Sequence, residues 1–86
     1  MLISVLIPCF NEKDTIAKIV DKINKLENLN LEIIIIDDNS NDGTRDILKD
    51  KIEGDVSKIT FNDSNYGKDY CVKKGIEASK GDIILI

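Results

Sequence analysis

Residues 32–44 read EIIIIDDNSNDGT: four consecutive isoleucines, Ile33 to Ile36, run straight into two adjacent carboxylates, Asp37 and Asp38. An unbroken β-branched run of this length suits a strand buried on both faces, as in a parallel sheet covered by helices. The Asn, Ser, Asp and Gly residues that follow tolerate left-handed backbone and bond their own main chain, so the strand ends in a turn. Neighbouring side chains on a strand point to opposite faces, so one turn or cap cannot employ both aspartates. A carboxylate at a strand end is suited to accept hydrogen bonds from a ribose hydroxyl or a base N–H. Asp37 and Asp38 are therefore candidate ligand contacts.

Working outward, strands and helices alternate. LISVLI, closed by Pro8, reads as a first buried strand. EKDTIAKIVDKINKL follows with Ile16, Ile19, Val20, Ile23 and Leu26 at helical spacing, and Asn11 with Asp14 three residues on resembles a capping pair. After the isoleucine strand, a shorter helix is expected over about residues 44–51, carrying Ile47 and Leu48. DVSKITF alternates as a third strand. A third helix is expected over about 67–79, its inner side formed by Cys71, Val72, Gly75, Ile76 and Ala78. Gly81 is expected to end it, before a fourth strand, DIILI. The order β-α-β-α-β-α-β predicts an α/β, Rossmann-like fold with a mostly parallel sheet, right-handed crossovers and helices on its faces. Ligands of such sheets bind at the carboxyl ends of the strands, where PCFNE, DDNSNDG and NDSNYGK all fall.

The chain has 86 residues, enough for one small domain with a thin stability margin. A net charge of −4 argues against a nucleic-acid surface, because no basic face dominates the phosphate term. No apolar run approaches the ~20 residues of a membrane-spanning helix, and MLISVLIPCF lacks a basic leader and cleavage site. Cys9 and Cys71 have no CxxC spacing and read as reduced, partly buried thiols, so a cytoplasmic location is expected. There is no histidine, which removes Ser-His-Asp, Cys-His and His-metal chemistry. Carboxylates, lysines and backbone amides must do the work.

Other readings of these motifs fail on spacing. A calcium loop on Asp38, Ser40 and Asp42 would require its closing Glu at Lys49, and would need a helix, not a strand, before it. A receiver-like phosphoacceptor pair would follow the first strand, whereas this pair follows the second. PCFNEKDT has no glycine, so it is not a dinucleotide turn, and NYGK is not a Walker A loop. Glu12 either suits the helix dipole or faces a nucleoside, and Lys68 is either a solvated lysine or a charge directed at a diphosphate.

SVLIPCFNE, EIIIIDDNSNDGT and NYGKDYCVKKGIEASKGDIILI together resemble the N-terminal half of a family 2 glycosyltransferase, a large family with the GT-A fold that includes polyprenyl-phosphate sugar synthases. Its P-x-[YF]-N-E turn is matched by Pro8, Phe10, Asn11 and Glu12. Its DD-x-S-x-D-G-T is matched by Asp37, Asp38, Ser40, Asp42, Gly43 and Thr44, and its N-x-G by Asn65 and Gly67. The resemblance implies a nucleotide-sugar site in which Pro8, Phe10 and Glu12 line the nucleoside pocket, Ile36 flanks the base and Asp38 contacts base or ribose. It implies a sheet order of 3-2-1-4 and a UDP- or GDP-sugar donor of an inverting enzyme.

In that family a D-x-D motif follows the fourth strand and holds Mg²⁺ or Mn²⁺ on the donor diphosphate, and an acidic base comes later. Residues 1–86 stop before both. The expectation is a single N-terminal nucleotide-binding part that binds no metal and transfers no sugar alone. Membrane association is expected only through other parts or a lipid acceptor, and self-association through the bare fourth strand. The alternative is a stand-alone nucleotide-binding or regulatory module without catalysis.

Overall fold

The computed structural model describes residues 1–86. The isoleucine run forms β2 (Asn30–Asp37), flanked by β1 (Leu2–Cys9) and β3 (Lys58–Phe61), with β4 (Ile83–Leu85) beyond β1. The sheet order is β3-β2-β1-β4, and every pairing is parallel. The register sets Cys9 opposite Asp37 and Asp37 opposite Phe61, so the carboxyl ends of three strands share one edge.

The buried isoleucines divide by parity. Ile33 and Ile35 pack with Cys9, Ile16, Val20, Leu48 and Ile52 on one face of the sheet. Ile34 and Ile36 pack with Leu6 and Cys71 on the other. Helix α1 (Ile16–Asn24) and the segment after β2 cover the first face, and α3 (Lys68–Ala78) covers the second. Four isoleucines in a row can all bury because each face of the strand has its own helical layer.

Several boundaries differ from the sequence reading. Helix α1 begins at Ile16, and Asn11 does not cap it. Asn11 adopts φ 53°, donates its N–H to Ser40 Oγ (2.9 Å), and lends its Oδ1 to the Asn41 N–H (2.9 Å). Its side chain is thus committed to the neighbouring loop, and residues 12–15 form a turn in which the Glu12 carbonyl accepts the Thr15 and Ile16 N–H groups. Of the expected stripe, Ile16 and Val20 are buried and Ile23 packs against them, while Ile19 and Leu26 face solvent.

The second helix, α2, is α-helical only over Thr44–Ile47. It widens into a π-helical turn over Leu48–Ile52 and tightens to 3₁₀ over Glu53–Asp55, a path that keeps both Leu48 and Ile52 in the core. Strand β3 starts late because Ser57 Oγ takes the Ile33 N–H (3.1 Å), a donor that a ladder carbonyl would otherwise accept.

On α3, Cys71 and Gly75 are buried and Ala78 packs against the core, but Ile76 is exposed. Gly81 does not stop the helix. Ser79 leaves it in extended conformation with its hydroxyl on the Ile76 carbonyl (2.8 Å). Gly81 instead lies against β1, where a Cβ would meet Ser4 Oγ and the Ser4 nitrogen at 2.7 Å, and its own N–H donates to Ser4 Oγ (2.9 Å). The same corner is tied by Ser4 Oγ donating to Glu32 (2.6 Å) and by Asp82, which exchanges hydrogen bonds with Leu2.

Candidate functional site

Two turns are fastened together at the carboxyl edge of the sheet. Besides the Asn11 contacts, the Glu12 N–H donates to Thr44 Oγ1 (3.0 Å), joining the β1–α1 turn to the start of α2. Asp42 accepts the Thr44 N–H (3.0 Å), and its pKa lies below the usual aspartate value, chiefly because the Thr44 hydroxyl also donates to it.

The paired aspartates go to different partners. Asp37 has no solvent exposure. Its Oδ1 accepts the Ser40 hydroxyl (2.6 Å), and its Oδ2 accepts the Ser40 N–H (3.0 Å) and Arg45 Nε (2.7 Å). Arg45 also donates to the Asn62 carbonyl and lies 5.3 Å from the centre of the Phe61 ring. Asp38 turns the other way. Its Oδ1 accepts Asn62 Nδ2 (3.0 Å) and the Tyr66 N–H (2.9 Å), and its Oδ2 accepts the Gly67 N–H (2.9 Å). Burial by itself raises the Asp38 pKa, but the Tyr66 and Gly67 amides and the Asn62 side chain together outweigh it and hold the group below the usual aspartate value. An ionised carboxylate only accepts hydrogen bonds, so its remaining lone-pair capacity calls for a donor opposite.

Beside Asp38 lies a cleft of about 380 Å³, lined by Pro8, Phe10, Glu12, Asp38 and Lys68, with Cys9, Cys71 and Ile86 completing its walls. Gly67 reaches the start of α3 at φ 95°, a conformation that favours glycine, and Lys68 is the first residue of that helix. Phe10 is half-exposed and offers an aromatic face, and Lys68 supplies the cation. Glu12 accepts the Thr15 hydroxyl at 2.6 Å. A flat ring against Phe10, N–H or O–H donors towards the carboxylates, and an anion near Lys68 match these surfaces.

Five of the seven residues singled out in the sequence thus line one cleft. Ile36 and Asp37 do not. Ile36 is buried in the Leu6–Cys71 layer, and Asp37 is enclosed behind the β2–α2 turn with both oxygens occupied. In this structure the side chains of these two are thus engaged within the protein, and neither borders the cleft. Sequence reasoning overlooked Arg45 and Asn62, which link the two aspartates. Arg45 had a signal, being the only arginine in the chain and eight residues beyond Asp37. Asn62, one residue past β3, had none. Both cysteines are fully buried rather than partly so, and unpaired; desolvation raises their pKa values to about 12 at Cys9 and about 11 at Cys71.

No three Asp, Glu, Cys or His side chains are grouped to hold an ion. Nor is any helix long and apolar enough to cross a membrane.

Comparison with known proteins agrees with this arrangement. The family model described as Glycosyl transferase family 2 matches residues 4–86. An undecaprenyl-phosphate 4-deoxy-4-formamido-L-arabinose transferase from Aeromonas hydrophila is 30% identical over 98% of this chain and 27% of its own length. A dolichol-phosphate mannosyltransferase from Pyrococcus furiosus is 29% identical over 100% of this chain and 25% of its own. Among solved structures, the mannosyltransferase PcManGT from Pyrobaculum calidifontis, in complex with GDP-Man and Mn²⁺, superposes with a TM-score of 0.85 over 95% of this chain and 25% of that one, at 23% identity. S. aureus TarS in complex with UDP-GlcNAc gives 0.86 over 99% and 25%, at 21% identity. The chain therefore spans about a quarter of the relatives it matches. With the GT-A sheet order, the strand-end cleft and a match that covers all but three residues, the chain belongs to glycosyl transferase family 2.

Proposed function

We propose that this chain is the nucleotide-sugar-binding part of an inverting glycosyltransferase that moves a sugar from a UDP- or GDP-sugar to an acceptor. The observation that carries the reading is the cleft at the strand ends, which gathers Pro8, Phe10, Glu12, Asp38 and Lys68 in a chain of this family. In this reading Pro8 and Phe10 pack on the nucleoside, Glu12 and Asp38 accept its N–H and O–H groups, and Lys68 faces the diphosphate. A polyprenyl phosphate is the acceptor class favoured by the relatives' names. Two unpaired, buried cysteines agree with a reducing, cytoplasmic setting.

A divalent ion on the donor diphosphate would stabilise the departing nucleotide, but no cluster of three acidic, cysteine or histidine side chains in this chain would hold one. The 86 residues are proposed to bind the donor nucleotide without metal and without transferring sugar. The exposed apolar side chains of Ile83, Ile84, Leu85 and Ile86 favour self-association along β4.

The test is titration of the chain with UDP and GDP by amide NMR, with and without Mn²⁺. Shifts confined to residues 9–12, 38 and 66–68, unaffected by Mn²⁺, are expected. No shifts at millimolar nucleotide would refute binding by this chain, and sugar transfer by the chain alone would refute the division of labour.

A further inference from the structure

Asn62 sits at a junction that neither the family motifs nor the cleft lining marks. It is buried at the end of β3 and connects the two aspartates. Its N–H donates to the Asp37 carbonyl (2.8 Å), and its carbonyl accepts Arg45, the partner of the Asp37 carboxylate. Its side-chain Nδ2 donates to Asp38 Oδ1 at 3.0 Å and reaches Cys71 Sγ at 3.5 Å. Asp38 in turn holds the Tyr66 and Gly67 amides, and the next residue is Lys68 in the cleft.

A carboxylate with one donor removed has a wider choice of rotamers, and a helix start held by that carboxylate moves with it. We propose that Asn62 is a positioning residue: held from behind by Arg45, it fixes the Asp38 carboxylate, and through it the Tyr66–Gly67 turn that sets Lys68 at the cleft. Insofar as the cleft binds a nucleotide, the inference rests on the function proposed above. Arg45 serves in this arrangement as a fork that Lys cannot replace, because its Nε and Nη2 reach Asp37 and the Asn62 carbonyl at once.

The experiment uses the complete chain, ¹³C,¹⁵N-labelled, as wild type, Asn62→Ala, Asn62→Asp and Arg45→Lys. Two quantities are read: the titration of the Asp38 carboxyl carbon with the Tyr66 and Gly67 amide shifts, and the affinity for UDP and GDP. The charged or titratable groups around Asp38 are Asp37, Glu12, Tyr66, Lys68 and Cys71, and they are followed in the same spectra.

Asn62→Ala should raise the Asp38 titration midpoint, because a donor to the charged carboxylate is lost, move the Tyr66 and Gly67 amides, and weaken nucleotide binding by up to roughly tenfold, the share of that bond's worth that a bound nucleotide must restore by ordering Asp38 again. Asn62→Asp, nearly the same shape, should raise the midpoint further, since two carboxylates in contact cannot both ionise freely. Arg45→Lys should reproduce the Asn62→Ala pattern in weaker form while leaving the fold intact.

An Asp38 midpoint and 66–67 amides unchanged in Asn62→Ala would overturn the inference whatever the nucleotide does. If that variant does not fold, an Asp38 midpoint unchanged in Arg45→Lys and Asn62→Asp overturns it equally. Wild type that binds neither nucleotide overturns the donor-site reading, whereas the Asp38 titration still decides whether Asn62 positions that carboxylate.

Discussion

The division between Asp37 and Asp38 predicts that Asp37 is worth stability and not ligand affinity. Replacing Asp37 with Ala removes three hydrogen bonds, two to Ser40 and one to Arg45 Nε at 2.7 Å. Breaking a buried ion pair by deleting one partner costs about 3–5 kcal/mol, and the lower figure applies here because the Arg45 side chain is 28% exposed. Asp37→Asn keeps the shape and one carbonyl acceptor, and the Ser40 hydroxyl can rotate to accept from the new amide. Only the charge is lost, which should cost about half as much, roughly 1.5 kcal/mol. A chain of 86 residues has a total stability of about 4–13 kcal/mol, so Asp37→Ala consumes a large share of it. With a urea slope of about 1 kcal/mol/M for so small a domain, the midpoints should fall by roughly 3 M and 1.5 M at unchanged slope. Circular dichroism in urea reads both, and the same samples are titrated with UDP or GDP below the unfolding transition. A stable Asp37→Ala protein that has lost nucleotide binding would refute the reasoning and return Asp37 to the ligand. Asp37→Asn indistinguishable from wild type, within about 0.5 kcal/mol, would show that the charge contributes nothing.

Glu12→Gln and Lys68→Met, at exposed positions in the cleft, should leave the unfolding free energy in urea within about 0.5 kcal/mol of wild type while weakening nucleotide binding, measured by calorimetry. Gly81→Ala should destabilise more than Gly75→Ala. At Gly81 the new methyl meets the Ser4 backbone, whereas at Gly75 it meets Leu6 and Ile36 methyls at 2.9–3.2 Å, a crowding worth about 1–3 kcal/mol and partly offset by helix propensity; thermal unfolding of both variants decides. Glu32, held low by the Ser4 hydroxyl, and Asp38, held low against its burial, both have depressed folded-state values. Depressed carboxylates stabilise fully above their ordinary values of 4.5 and 3.8 and lose that contribution as pH falls through the folded ones. Far-UV signal should therefore be flat from pH 7 to about pH 5 and decline in acid, and a decline on the alkaline side of pH 5 would contradict it. Cys9 and Cys71, with thiols raised to about 12 and 11, should react with a disulfide reagent at pH 8 only as fast as the chain opens, the rate rising with urea.

What the sequence made legible was what is periodic or local. The isoleucine run announced a strand buried on both faces, and it divides between two core layers as its parity requires. The alternation of elements led to a parallel sheet, and the family resemblance, not the alternation, supplied the strand order found. Boundaries were less legible because they depend on side chains that leave their own element. Asn11 looked like a helix cap but spends its side chain on Asn41, which moves the start of α1 to Ile16. Ser57 shortens β3 with a hydroxyl in place of a ladder carbonyl, and Gly81, placed where helices usually end, answers to the close approach of Ser4.

The site shows the same limit more sharply. Asp37 and Asp38 are chemically identical neighbours, and the rule that strand side chains alternate indicated that they would part. It could not say which would face a ligand, because that depends on what the rest of the fold brings to each. Arg45 arrives at Asp37 from eight residues away, and Asn62 arrives at Asp38 from twenty-four residues away. The first partner neutralises a buried charge and fixes it; the second leaves a charge ionised, oriented and bordering open space. Each carboxylate accepts three hydrogen bonds, but Asp37 is enclosed with its counter-ion, whereas Asp38 has no cationic partner among its hydrogen bonds and borders the cleft. The difference in setting between two adjacent aspartates thus resides in Arg45 and Asn62, which is why substitutions at those two positions, more than at the aspartates themselves, test how the cleft is built.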